Sequence, residues 1–146
     1  MARSDGTVEI ETFLDSWTGD EPARRQFEHF FRHLAAMQDV ELQFMARPGV
    51  SYSMRPRHPR QKDRELFAIV DVIDDDPEQR WLSVCFYRDM ISDPEERGEL
   101  IPGGLAGGDG YCFDVFADDQ AVIAYLSSRL DEAARAAADT DEKTRD

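Results

Sequence analysis

Two short segments in the middle of the chain carry apolar residues on both alternating faces. They are residues 66–73, LFAIVDVI, and residues 81–87, WLSVCFY. A strand with one solvated face alternates apolar and polar residues, whereas only Asp71 interrupts the first segment. The pattern predicts two central strands of a sheet whose second face is also covered, by another part of the chain, a ligand or a partner.

Simple alternation predicts three further strands. Residues 40–46 and 50–54 alternate apolar with polar side chains, and the Pro48-Gly49 pair between them suits a tight turn. Residues 74–78, DDDPE, are typical of a hairpin turn between the two central strands, and residues 111–116 follow as a last strand. The chain therefore predicts an antiparallel sheet of about five strands.

Helical spacing of apolar residues predicts two main helices, Pro22–Met37 and Asp119–Ala138. Residues 7–17 fit either a helix or a strand. We expect both main helices on one face of the sheet, which gives a two-layer α+β sandwich. Residues 1–138 are predicted to form a single domain, and the polar residues 139–146 a disordered tail.

The ends of the chain and its cysteines suggest a compartment. The N-terminus has no stretch typical of a signal peptide, and the longest apolar runs are far below the ~20 residues that span a bilayer. We therefore expect a cytoplasmic protein without a membrane partner. Cys85 and Cys112 fit that compartment as reduced, buried residues, close together only if their strands are neighbours. Two thiols alone do not make a zinc site.

Charge is unevenly distributed along the chain. The net charge is −14, from 17 basic and 31 acidic residues, yet residues 47–64 hold six basic residues and one acidic residue, Asp63. The acidic body disfavours nucleic acid, because phosphates would be repelled. The basic segment predicts either a solvated face or an anion-binding site. The candidate anion-binding residues are Arg55, Arg57, Arg60, Lys62 and Arg64.

Five of the nine glycines lie within residues 103–110. A phosphate-binding loop would lead directly into a helix and supply a lysine, whereas here Tyr111 begins a predicted strand. The pattern predicts a compact connection between strands, with the rim of a ligand site as the alternative. The candidate rim residues are Gly103, Gly104, Gly107 and Gly108.

No catalytic residue, metal site or cofactor is predicted. His29 and His33 are four residues apart on a predicted helix, but no third ligand accompanies them. The acidic turn at residues 74–78 lacks the spacing of a calcium loop. Neither cysteine lies in a local histidine motif, and no Gly-x-Ser-x-Gly segment occurs.

The order of elements resembles the YdhG-like uncharacterised family. The resemblance covers residues 23–135 and rests on Leu66-Phe67-Ala68, residues 82–87, the Asp93-Pro94 turn and the glycine-bearing segment before the last helix. It implies a frataxin-like α+β fold. A frataxin-like similarity would in turn imply iron handling through acidic surface residues such as those at 74–78.

These observations predict a cytoplasmic, non-enzymatic binding or regulatory module. Its partner would be a small anionic ligand or an acidic protein, held by residues 47–64. One alternative is a small-molecule enzyme with a pocket under residues 103–110, and another is a frataxin-like metal-binding protein. We expect the second sheet face to be covered either by the N-terminal segment around Phe13 and Trp17 or by a second subunit, as a homodimer.

Overall fold

A computed structural model describes residues 6–18 and 21–139. Within those ranges it contains three α-helices, a short 3-10 helix and six strands. The helices are α1 (Thr7–Ser16), α2 (Pro22–Ala35) and α3 (Gln120–Ala138), and the 3-10 helix is Arg88–Met90. The strands are β1 (Glu41–Arg47), β2 (Ser51–Arg57), β3 (Ala68–Ile73), β4 (Trp81–Tyr87), β5 (Glu99–Leu105) and β6 (Gly108–Val115).

The strands form one antiparallel sheet in the order β1-β2-β3-β4-β6-β5. The predicted α+β class, with β3 and β4 central, is confirmed. The sheet has six strands because β5 pairs with β6 where we predicted a connection. Sequence pattern misses β5 because this edge strand contains Pro102, Gly103 and Gly104 and is exposed except at Leu105.

The core lies between the helices and one face of the sheet. Val70, Val84 and Phe86 are fully buried there, as the central-strand assignment predicts. Tyr125 of α3 packs against Phe113 of β6, with ring centroids 6.3 Å apart. We call this side of the sheet the helix face.

The segment of uncertain type is the helix α1, and it packs on the helix face. Its apolar stripe buries Phe13, whose ring stacks on Tyr52 at 4.3 Å and meets Phe27 edge-on at 5.7 Å. The prediction that this segment covers the second face is therefore wrong. The apolar residues of α1 repeat at helical spacing, and the two aromatic rings that Phe13 contacts belong to α2 and β2.

The opposite side of the sheet, which we call the open face, has no helix of the described residues against it. Ser53 is buried there and donates a hydrogen bond to the half-buried Asp71. Phe67, which directly precedes β3, is fully buried. The central open-face residues of β3 and β4 are Ile69, Asp71, Ile73, Trp81, Ser83 and Cys85.

Cys85 and Cys112 form a disulfide, so the prediction of reduced and buried cysteines is wrong. The two residues face each other in the β4–β6 register, with Cα atoms 4.1 Å apart, and both are half-buried. The sequence left their proximity open, and the pairing of β4 with β6 brings them together. The expectation of free thiols rested on compartment reasoning, which says nothing about a directly facing pair on neighbouring strands.

Two further predictions concern the ends of the chain and the membrane. Within the described ranges, every helix is too short or too polar to cross a lipid bilayer. The predicted tail at residues 139–146 lies outside the described residues except for Asp139, which ends α3.

Candidate functional site

The predicted anion-binding residues lie on β2 and on the loop that follows it, and most of them have partners within the chain. Arg57 Nε lies 3.6 Å from Glu41 Oε1 across the β1–β2 pair. Lys62 Nζ donates to the carbonyl oxygen of Pro59 at 3.0 Å. Arg60 lies exposed in the turn, where its backbone N–H donates to His58 Nδ1 at 3.1 Å. The five residues therefore do not converge on one point.

Arg64 has a fixed position because it is held from two sides. Its guanidinium donates to both carboxylate oxygens of Asp89, at 2.7 and 3.1 Å. It also lies 3.9 Å from the centroid of the Tyr87 ring, a cation–π contact. The hydrogen bond from Arg64 to Asp89 raises the pKa of the guanidinium above the ordinary value of arginine.

Tyr87 connects this arginine to the glycine-rich hairpin. Its hydroxyl donates to the carbonyl oxygen of Ala106 at 2.6 Å. Gly107, at φ +85°, forms the β5–β6 turn beside that carbonyl. A Cβ at Gly108 would lie 3.2 Å from the Tyr87 ring and 3.4 Å from Arg64, so this glycine permits the close packing.

The loop between β2 and β3 is held from inside by buried polar groups. The Gln61 amide donates to the carbonyl oxygens of Arg64, at 3.2 Å, and Leu66, at 2.9 Å. Gln61 and His58 are each only 8% exposed, and burial lowers the pKa of His58. Internal hydrogen bonds and burial therefore fix this loop, whereas its charges alone would indicate a solvated turn.

Two hollows flank this loop. A shallow groove of about 390 Å³ brings together Arg57, Lys62 and Arg64, but the acidic Asp63 and Glu65 line it as well. A cleft of about 440 Å³ lies on the open face, between the loop and the glycine hairpin. The residues that line this cleft are Arg55, Asp63, Arg64, Glu65, Leu66, Ile69, Tyr87, Gly104, Leu105, Ala106 and Gly107.

The cleft unites two candidate sites that the sequence presents separately. Arg55 and Arg64 come from the predicted anion-binding group, and Gly104 and Gly107 from the predicted rim. Gly103 does not line the cleft, and its N–H donates to Asp109 Oδ1 at 2.9 Å within the hairpin.

Arg55 differs from the other four candidate anion-binding residues because its Nε–H group is enclosed and has no hydrogen-bond partner in the described part of the chain. Nor does any described carboxylate lie within 4 Å of its guanidinium. The positive charge of Arg55 does act on Asp71, which lies on the neighbouring strand β3. Burial raises the pKa of Asp71, and the Ser53 hydrogen bond and the charge of Arg55 offset this only in part. An enclosed donor without a partner costs about 1–3 kcal/mol.

The glycine hairpin is anchored at its far end by Asp93. This carboxylate accepts hydrogen bonds from the hydroxyls of Tyr111 and Tyr125 and from the backbone N–H groups of Arg97 and Gly98. Burial alone would raise the pKa of Asp93, but these four donors outweigh it and lower the pKa to about 2. Residues 92–98 form an irregular turn around this carboxylate.

The other motifs have structural roles. His29 Nε2 lies 3.1 Å from Ser127 Oγ, and His33 Nε2 lies 2.8 Å from Asp131 Oδ1, so both histidines join α2 to α3. In the acidic turn, Asp74 accepts from Arg80 Nε at 2.7 Å and from Gly49 N at 2.8 Å. The described residues contain no cluster of three or more His, Cys, Asp or Glu side chains placed to hold a metal ion.

Sequence reasoning missed Gln61, Tyr87 and Asp89 as parts of this site. Asp89 lies 25 residues from its partner Arg64, and no spacing rule links them. Tyr87 ends a predicted strand, and this position is the only sequence feature that indicates a contact with a neighbouring loop.

No family model, curated protein or solved structure matches this chain.

Proposed function

We propose that this protein is a non-enzymatic binding module for a small organic anion with an apolar body, and that the cleft beside the glycine hairpin is its binding site. The observation that carries the proposal is the enclosed Nε–H of Arg55, which has no hydrogen-bond partner among the described residues. Arg55 lines the cleft, so an anionic group bound there would lie beside its guanidinium, and guanidinium groups bind carboxylate and phosphate with charge-assisted hydrogen bonds.

The composition of the cleft supports this class of ligand. Leu66, Ile69 and Leu105 give it apolar walls, and Arg64 adds a second positive charge that Asp89 already balances. Its volume of about 440 Å³ falls in the lower part of the range of ligand pockets. The exposed carboxylates at the rim and the net charge of −14 disfavour a long polyanion.

Isothermal titration calorimetry with simple probes tests the proposal. The probes are benzoate and phenyl phosphate, with benzyl alcohol as the neutral analogue and inorganic phosphate as the anion without an apolar body. We expect wild type to bind the two aromatic anions, with at least tenfold weaker binding for Arg55→Met, since a hydrogen bond to a charged group is worth about 1.5–3 kcal/mol.

Arg47→Met is the matched control, because Arg47 is an exposed arginine at the far end of β1 and does not line the cleft. It should bind both anions like wild type. Failure of every probe to bind wild type, or equal affinity in a folded Arg55→Met variant, would overturn the proposal.

The alternative of a small-molecule enzyme stays a prediction. One observation favours it as the second candidate, since the cleft lies beside the Gly103–Gly110 segment where that alternative places its pocket. Conversion of a bound probe into product, followed by NMR, would replace the binding function with an enzymatic one.

A further inference from the structure

We propose that the open face of the sheet packs against the open face of a second copy of this chain. Because α1 packs on the helix face, the described residues leave this side without a helical cover. One apolar group of this face lies at the end of the strands near the β3–β4 turn. Ile73 and Trp81 are half-buried there, and Phe116, which stacks on Trp81 at 4.7 Å, is 69% exposed.

The two halves of the open face have opposite charge. The β1–β2 half carries Arg47, Arg55 and Arg57, with Glu41 as its only carboxylate. The β6–β5 half carries two carboxylates, and these are Asp114 and Glu99. A surface with one basic and one acidic half is complementary to a rotated copy of itself.

Charge also selects the orientation of the two copies. A two-fold axis between the sheets can run along the strands or across them. If it runs along the strands between β3 and β4, β2 of one copy faces β6 of the other, and the basic half covers the acidic half. If it runs across the strands, each half meets its own like charge. We therefore place the axis along the strands.

This orientation also matches side chains at the centre of the sheet. Within one sheet Asp71 is in register with Ser83, and Ile73 with Trp81. With the axis between these strands, Ile73 of each copy faces Trp81 of the other, which buries apolar surface. Asp71 likewise faces a Ser83 hydroxyl, which can donate a hydrogen bond to it.

The size of the face is adequate for a dimer. Six strands at about 4.8 Å spacing and about seven residues of 3.3 Å each give roughly 650 Å² per copy, near the ~800 Å² of a standard interface. Electrostatic repulsion opposes the dimer at the β3–β4 turn, because this axis brings Asp75 and Asp76 of both copies to the same end of the interface. These carboxylates are exposed, so solvent and salt screen their repulsion.

Sedimentation velocity in 0.15 M salt, from 1 to 200 μM protein, tests the dimer. We expect wild type to dimerise within this range and Ile73→Asp to remain monomeric at 200 μM. Val8→Asp is the matched control, since Val8 is 71% exposed on α1, and it should dimerise like wild type. Monomeric wild type at 200 μM, or a dimeric Ile73→Asp, would overturn the proposal.

Cross-linking tests the orientation independently of Ile73→Asp, and in a mixed dimer the copy with Met45→Cys keeps its Asp114. Met45 and Asp114 lie in the same row of the register, on β1 and β6. The proposed axis offsets Met45 of one copy from Asp114 of the other by one strand spacing, ~5 Å, across the ~10 Å gap between packed sheets, and it offsets the two Met45 residues by about five spacings. A short bismaleimide should therefore join Met45→Cys to Asp114→Cys in a mixture and should leave Met45→Cys alone unlinked. The reverse result contradicts the orientation.

These measurements are separable from those on the anion site. Arg55 belongs to both surfaces, so neither experiment on the dimer alters it. If wild type is monomeric and still binds benzoate through Arg55, only the dimer fails. If wild type dimerises and neither wild type nor the monomeric Ile73→Asp variant binds a probe, only the anion site fails.

Discussion

The two faces of the sheet are built from the same strands but have different surroundings. Ile69 and Val70 are neighbours on β3, yet Val70 is fully buried under the helices whereas Ile69 is half-buried on the open face. The helix face is wholly apolar at its centre. The open face mixes Ile69 and Trp81 with a serine–aspartate pair and a disulfide. An apolar pattern on both faces therefore indicates that burial is favourable, but it does not reveal which face the chain itself covers.

One carboxylate on each side shows the same contrast. Asp93, which joins β6 to α3, accepts four hydrogen bonds that lower its pKa to about 2. Asp71, on the open face, has one hydroxyl donor and a raised pKa, because burial is the dominant cause. On the helix side, hydrogen-bond donors stabilise the half-buried charge of Asp93. On the open face, the charge of Asp71 is compensated only in part.

The largest expected effect tests the packing difference directly. Phe86→Ala should lower the free energy of unfolding by about 3–5 kcal/mol, because it leaves a cavity at a fully buried position packed on Phe113. Ile69→Ala, on the open face, should cost less than half as much. Urea denaturation of the monomer measures both, and equal losses would contradict the assignment of a single packed face.

The next effect tests where the N-terminal helix packs. Phe13 stacks on Tyr52 and contacts Phe27 and Phe44, so Phe13→Ala should cost about 3 kcal/mol. Val8→Ala on the exposed side of the same helix should change stability by less than about 0.5 kcal/mol. Thermal denaturation of both variants decides this, and a neutral Phe13→Ala would mean that α1 adds little to the core.

Local pattern was sufficient for most of the fold. Alternation predicts β1, β2 and β6, apolar runs on both faces predict β3 and β4, and helical spacing predicts α2 and α3. The strand β5 was not predicted because its glycines and proline weaken strand propensity and its side chains are mostly exposed. The type of α1 was ambiguous because residues 7–11 also alternate like a strand.

Only part of the candidate site could be predicted from the sequence. Basic residues and glycines stood out by composition, but their meeting in one cleft depends on the antiparallel register of β3, β4 and β6. That register also pairs Cys85 with Cys112, which compartment reasoning did not anticipate. The contacts that fix the cleft, Arg64 to Asp89 and Tyr87 to Ala106, join residues 25 and 19 positions apart.

Asp93→Asn tests the carboxylate on the helix side. Its folded pKa of about 2 lies below the unfolded value near 3.9, so the ionised form stabilises the fold above pH ~4. That contribution is lost as the pH falls from about 4 to 2. We expect Asp93→Asn to lose on the order of 2 kcal/mol at pH 7 and to show a shallower loss of stability in that acidic window.

The exposed Asp15→Asn, on α1, is the control for Asp93→Asn, and its free energy of unfolding at pH 7 should equal that of wild type within about 0.5 kcal/mol. Urea denaturation between pH 2 and 7 provides the comparison. A wild-type stability at pH 7 in Asp93→Asn would show that the four donors find other partners.

Asp71→Asn, the smallest expected effect, has the opposite sign. Because burial raises the folded pKa of Asp71 above its unfolded value, ionisation of this group opposes folding as the pH rises through that interval. The variant should therefore be slightly more stable than wild type at pH 7, and the difference should vanish below the unfolded pKa. Urea denaturation at a concentration where the chain is monomeric measures this. A less stable Asp71→Asn at pH 7 would mean that the attraction between Asp71 and Arg55 outweighs burial, and that the open face compensates its charge as fully as the helix face does.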